Sequence, residues 1–374
     1  MDGLPTDPIP WMVLAARFLL PLLIPRFPLP GIFLCFVADA VDETVLYTFT
    51  DVDLEGYQSY DKAFDVYYLA IAMLATLRNW LSCGAVQVAR FLFYLRLVGV
   101  FLFELAGWRP LLLFFPNAFE YFFILYEGIR TRWEPERVGV REWRWAAALI
   151  WVAIKIPQES WLHVARLDMT ELIRFRLLGG RFDERSGELI AHLLLVTGAL
   201  GLAAVGVEAV RRFAPPPHCS FRLAAGPMPA VMRDVSARAL HVARRLRLVD
   251  MHLVEKTVLV GCLTVIFLRI LPGVDAPTLP TLAGVAIFVA INSFVQIRVS
   301  GRWHALPAFV GEFLATEAIN LSLVLAADRL LLQGKGAVSL PAAILAVTLL
   351  TLVVRLYDAW RPAYDARLRQ RPLT

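Results

Sequence analysis

The chain has 374 residues, 58% of them hydrophobic and 18% charged, with a formal net charge of +5 and a positive mean hydropathy. A soluble domain is nearer half apolar and a quarter charged, so this balance argues against two or three ordinary soluble domains and for a membrane protein. Four widely spaced cysteines (Cys35, Cys83, Cys219, Cys262), without a CxxC pair or a histidine cluster, argue against a disulfide framework or a zinc site.

The apolar residues arrive in blocks of about 17 to 25, the length a helix needs to cross about 30 Å of hydrocarbon. In lipid every backbone N–H and C=O must be satisfied within the segment, which makes the blocks helices. No succession of short alternating strands suggests a barrel. The expected fold is all-α, a polytopic transmembrane bundle of about ten or eleven segments.

Met1–Pro10 is acidic and proline-rich and lacks a signal peptide's basic start and cleavage site, so no processing is expected. The first block, Trp11–Pro25, contains Arg17, Pro21 and Pro25 and reads as a span or as a broken interfacial helix. Leu29–Tyr47, Ala63–Leu81, Val86–Ala106, Leu111–Gly128, Trp143–Ala165 and Leu189–Phe213 follow, then a hydrophilic stretch to Lys256. Thr257–Leu271, Leu279–Val299, Leu306–Leu325 and Ala337–Ala359 complete the series, with no internal repeat. The expected organisation is an N-terminal membrane bundle over 1–213, a basic linker over 214–256 and a C-terminal four-helix bundle over 257–374.

Charge suggests the orientation. The linker from Arg211 to Lys256 is rich in arginine, which predicts a cytoplasmic position by the positive-inside rule. The C-terminal tail and the loop Arg130–Arg144 fit the same side of a multi-pass cell-membrane protein. Within the linker, MRDVSARALHVARRLRLVDMHLVEK has the pattern of an amphipathic helix. Its expected partner is the anionic headgroups of the bilayer rather than nucleic acid.

Ionisable residues inside apolar blocks are costly and point to function. Asp39 and Asp42 lie three apart, and Asp61 and Asp65 four apart, each pair on one helical face. Asn117, Glu120 and Glu127 form a stripe expected to face Arg90, Arg96 and Glu104 of the preceding block. Lys155, Glu159, His163 and Arg166 form another. Interhelical ion pairing without chemistry is the plainer reading of the last two groups. Four aspartates near only one cation, Lys62, repel one another unless protonated or neutralised. Hard divalent cations such as Mg²⁺ or Mn²⁺ take carboxylate ligands of this kind. The plainer reading is that Asp39 and Asp42 end a helix near water and that Asp61 N-caps the next.

The run from ADAVDETVLY through GYQSYDKAFD, and the apolar RFLLPLLIPRFPLPGIFLCFVA before it, resemble the CDP-alcohol phosphatidyltransferases. That family's motif reads DxxDGxxAR and, after a short gap, GxxxDxxxD. Asp39, Asp42, Asp61 and Asp65 occupy its four aspartate positions. Glu43, Leu46 and Tyr47 stand where the motif has glycine, alanine and arginine, and Tyr57 where it has the second glycine. The resemblance implies that Asp39, Asp42 and Asp61 bind metal and that Asp65 is the base that activates an acceptor hydroxyl. The expected function is thus a membrane-embedded, metal-dependent transferase acting on a phosphate-linked lipid or alcohol. An ion-coupled transporter is the main alternative, its relay formed by Lys155, Glu159 and His163 near helix breaks at Pro110, Pro116 and Pro157. A non-enzymatic membrane subunit docking a partner on the linker is a third.

Overall fold

The computed structural model describes residues 8–50, 57–108, 110–160, 172–177, 179, 184–226, 251–270, 284–290, 314, 316–322 and 340–370. Helices are the only regular secondary structure among them, which is the all-α class expected. His163, the linker residues 227–250 and most of the blocks at 279–299 and 306–325 lie outside the described residues.

Proline and glycine decide where the helices start and stop. α1 (Pro8–Leu19) tightens into a 3₁₀ turn, Leu20–Leu23, at Pro21. α2 (Pro28–Phe49) opens on Pro28, whose missing N–H costs nothing at a helix start. α3 is Tyr57–Asn79. α4 (Cys83–Ala106) is capped by Ser82, whose hydroxyl accepts from Ala85 N at 3.3 Å, and it ends at Gly107 in the left-handed region at φ 64°. The fifth apolar block is broken: α5 (Pro110–Phe114) and α6 (Ala118–Arg130) flank Pro116, which interrupts the helical hydrogen bonds. α7 (Val140–Leu149) widens into a π-turn, Ile150–Lys155, and resumes at Ile156–Glu159, so the disturbance ends at Pro157. α8 is Glu184–Phe213, α9 Met251–Ile270 and α10 Leu340–Gln370.

Two helical stretches among the described residues, Cys83–Ala106 and Leu189–Ala209, are long and apolar enough to cross a membrane. The apolar stretch Pro8–Leu23 is shorter.

The chain divides into two units that interleave in sequence: Met1–Tyr57 with Arg109–Ala225, and Gln58–Trp108 with Gly226–Thr374. In the first unit α1 and its 3₁₀ turn pack on α2, which also meets α6 and α8. Gly31 permits this closeness, because a Cβ there would stand 2.8 Å from Ile24 N. The segment after α8 lies against the loop that follows α6. His218 N and Arg222 N donate to Arg132 O and Thr131 O at 2.9 and 3.0 Å, and Ala225 N donates to Arg26 O at 2.8 Å. Two stretches that charge placed on one side, Arg130–Arg144 and the start of the linker, are thus hydrogen-bonded to each other.

In the second unit α3 is buried on every side from Ala63 to Ala75 apart from Asp65. A helix apolar all round belongs in the interior of a large fold or a membrane bundle. Its last carbonyls have no partner within the helix. The buried Arg367 guanidinium of α10 donates to two carbonyls there, Leu77 O and Trp80 O. α4 packs on α9 and α10, which also pack on each other.

Candidate functional site

Asp39 and Asp42 fall in the interior of α2, seven residues or more before its end at Phe49, rather than at a terminus near water. Asp42 is 2% exposed, and its Oδ1 accepts from Glu43 N at 2.8 Å. Arg17, itself buried in α1, sets one guanidinium nitrogen against both carboxylates: it pairs with Asp39 and lies 3.0 Å from Asp42 Oδ2. Lys62 is therefore not the only cation serving the aspartates. The geometry joins two carboxylates around one positive charge, an arrangement that holds a cation whether it comes from a side chain or from a metal.

Asp61 and Asp65 lie in the other unit. α3 begins at Tyr57, so Asp61 sits in its second turn and is not the N-cap. Asp65 follows one helical turn later on the same face, at the edge of the buried stretch. Lys62, between them, places Nζ 4.8 Å from the centre of the Phe103 ring of α4. Arg96 is buried on α4, and Glu104 lies on its last turns.

The stripe on α6 forms as spaced. Glu120 and Glu127 are 3% and 1% exposed. Asn117 Nδ2 donates to Glu120 Oε2 at 3.1 Å, and Arg130 Nε donates to Glu127 Oε2 at 2.6 Å. Lys155 is buried at the end of the π-turn, its Nζ 4.2 Å from the Tyr121 ring centre, and Tyr121 Oη donates to Gln158 Oε1 at 3.3 Å. Glu159 closes the helical turn that follows.

Arg90 has a partner that the block spacing did not indicate. Its Nη2 lies 2.5 Å from Glu255 Oε1 on α9, a residue expected in the amphipathic end of the basic linker. α9 starts at Met251, which makes Glu255 and Lys256 helical. Glu255 also accepts from Tyr94 Oη at 3.1 Å and Tyr357 Oη at 2.9 Å and faces Arg361 at 3.3 Å. Lys256 Nζ donates to Asp358 Oδ1 at 2.8 Å, and His252 Nε2 lies 3.3 Å from Asp365 Oδ2. Burial works to push the Glu255 carboxyl up, but Arg361 and Arg90 outweigh it and hold the group below its usual range. The signal in the sequence is the spacing of Tyr357, Arg361, Tyr364 and Asp365 at three and four residues, which gives α10 a polar face.

No protein-family model matches the chain, and no curated protein or solved structure shows significant similarity to it.

Proposed function

We propose that the chain is a multi-pass membrane protein whose N-terminal aspartates serve a metal-dependent transfer reaction on a phosphate-linked lipid or alcohol. Support for the membrane part comes from α8, along which Leu193, Leu194, Leu200, Leu202, Val205 and Val207 are exposed. Each would forfeit about 1.5–3 kcal/mol by remaining in water rather than in an apolar medium. The hydrogen bonds between the arginine-bearing loop after α6 and the segment after α8 fit a shared cytoplasmic side. In this orientation the basic linker meets anionic headgroups.

The observation that carries the catalytic part is the pair Asp39–Asp42 built around a buried positive charge in the middle of a helix. These carboxylates are arranged to hold a cation, and their oxygens suit Mg²⁺ or Mn²⁺. In this reading Asp39 and Asp42 are metal-holding residues. Arg17 stands beside the first pair, where its charge counters the carboxylates and is within the neighbourhood a phosphate oxygen would enter. When bound, a divalent cation supplies Lewis-acid charge to the phosphate. The test is transfer from a CDP-linked lipid to a small alcohol by the purified protein in lipid, followed by mass spectrometry with and without a chelator. Asp39→Asn and Asp42→Asn should each lose both transfer and bound Mn²⁺. Undiminished transfer in both variants would overturn the reading.

A second reading, ion-coupled transport, is favoured by Lys155, a buried amine at a π-turn next to Pro157. Flux into liposomes that responds to a pH gradient and fails in Lys155→Met would support it. Flux without either response would remove it.

A further inference from the structure

The C-terminal unit carries a polar seam within its apolar helices. On α10, Thr348, Thr351, Arg355, Asp358, Arg361 and Asp365 recur at three and four residues and so share one side of the helix. Partners meet them along the seam. Asn320 Nδ2 donates to Thr351 Oγ1 at 2.8 Å, and Arg355 donates to Thr316 Oγ1. Lys256 meets Asp358, and Glu255 meets Arg361. From Asp358 the seam runs about 15 Å along the helix to Thr348, which lies near the middle of the apolar run Ala337–Ala359.

Glu317 meets the seam there. Thr348 Oγ1 is 2.9 Å from Glu317 Oε1 and 2.7 Å from Ile344 O. A hydroxyl has one hydrogen, so Thr348 can donate to only one of them. Both contacts are hydrogen bonds only when Glu317 is protonated: its O–H donates to Thr348 Oγ1, and Thr348 donates to Ile344 O. When Glu317 is ionised, Thr348 turns its hydrogen to the carboxylate, and Ile344 O keeps its backbone role. Proton gain or loss then requires rotation of hydroxyls, Thr348 and Thr351 both hydrogen-bonding Glu317, and no backbone movement.

Among the described residues, Arg355 of α10 donates to Thr316, the residue beside Glu317, and Lys256 of α9 pairs with Asp358 farther along the seam. Glu255, His252, Arg90, Tyr94, Arg361 and Asp365 lie farther still toward the end of α10.

We infer that Glu317 is a proton-binding site within the C-terminal unit, with Thr348 as the hydroxyl that adapts to its two states. The location at mid-membrane rests on the multi-pass reading, but the protonation chemistry does not. The experiment is infrared difference spectroscopy of the full-length protein in detergent, stepped from acid to alkaline pH. A carboxylic C=O band should titrate, shift in D₂O and vanish in Glu317→Gln. In Thr348→Val the band should persist with its midpoint moved upward by about tenfold in proton affinity, because the hydrogen bond lost from the ionised form is the stronger one. Absence of any band that depends on Glu317 would overturn the inference, as would a midpoint indifferent to Thr348→Val. If Glu317→Gln does not fold, the Thr348→Val shift decides alone. Failure of membrane extraction or of metal binding at the aspartates would bear on the proposed function and leave this result unchanged.

Discussion

Replacing Arg17 with methionine should be among the most damaging single changes in the first unit, and also the most informative. The methionine fills most of the same space but leaves Asp39 and Asp42 facing each other without their guanidinium. Asp42 is 2% exposed, so water cannot screen it. Removing one member of a buried ion pair costs about 3–5 kcal/mol because the other charge stays buried and uncompensated. For a unit of this size that corresponds to a fall in melting temperature on the order of 10 °C. Thermal unfolding in detergent, read by tryptophan fluorescence, measures it. The further combination with Asp39→Asn and Asp42→Asn should recover most of the loss, since neutral amides need no counter-charge. If the aspartates also hold a divalent cation, added Mn²⁺ should raise the melting point of Arg17→Met and leave the triple variant unchanged. A melting point in Arg17→Met equal to that of the parent would show that the carboxylates are not compensated by this arginine.

Gly31→Val should destabilise the first unit and separate α1 from α2, since even the Cβ would stand 2.8 Å from Ile24 N; limited proteolysis at Pro25–Phe27 reports it. Arg367→Met should leave Leu77 O and Trp80 O without their buried donor, at about 1–3 kcal/mol per group, seen as faster hydrogen exchange in the last turn of α3. The pH dependence follows from Glu255, whose folded pKa is depressed mainly by Arg361 and Arg90 against its burial. Its contribution is fully present above the unfolded value of about 4.3 and is lost as pH falls through the lower folded value. Acid unfolding should therefore begin below about pH 4.3, and Glu255→Gln should flatten that limb.

Among the described residues, helix content and most helix positions were legible because long apolar blocks have few alternatives. α2 and α4 differ from their blocks by only a few residues at each end, and proline announced the breaks at Pro21, Pro116 and Pro157. The partners of the charged groups were not legible. Arg17 lies 22 residues from Asp39, on another helix, and only the packing permitted by Gly31 brings it there. Glu255 looked like part of a basic linker because composition changes at Thr257, whereas α9 begins at Met251. The arginines of α10 suggest a basic tail by composition alone, and composition does not show that Arg361 faces Glu255 of α9. Spacing shows which residues share a face; it does not show which helix that face meets.

Mn²⁺ binding to the purified full-length protein, read by electron paramagnetic resonance, tests the Asp39–Asp42 pair directly. The free Mn²⁺ signal should be lost at stoichiometric protein, return in Asp39→Asn and Asp42→Asn, and be lost at lower concentration in Arg17→Met. A free Mn²⁺ signal undiminished by the parent protein and by Arg17→Met would contradict a metal role for the pair.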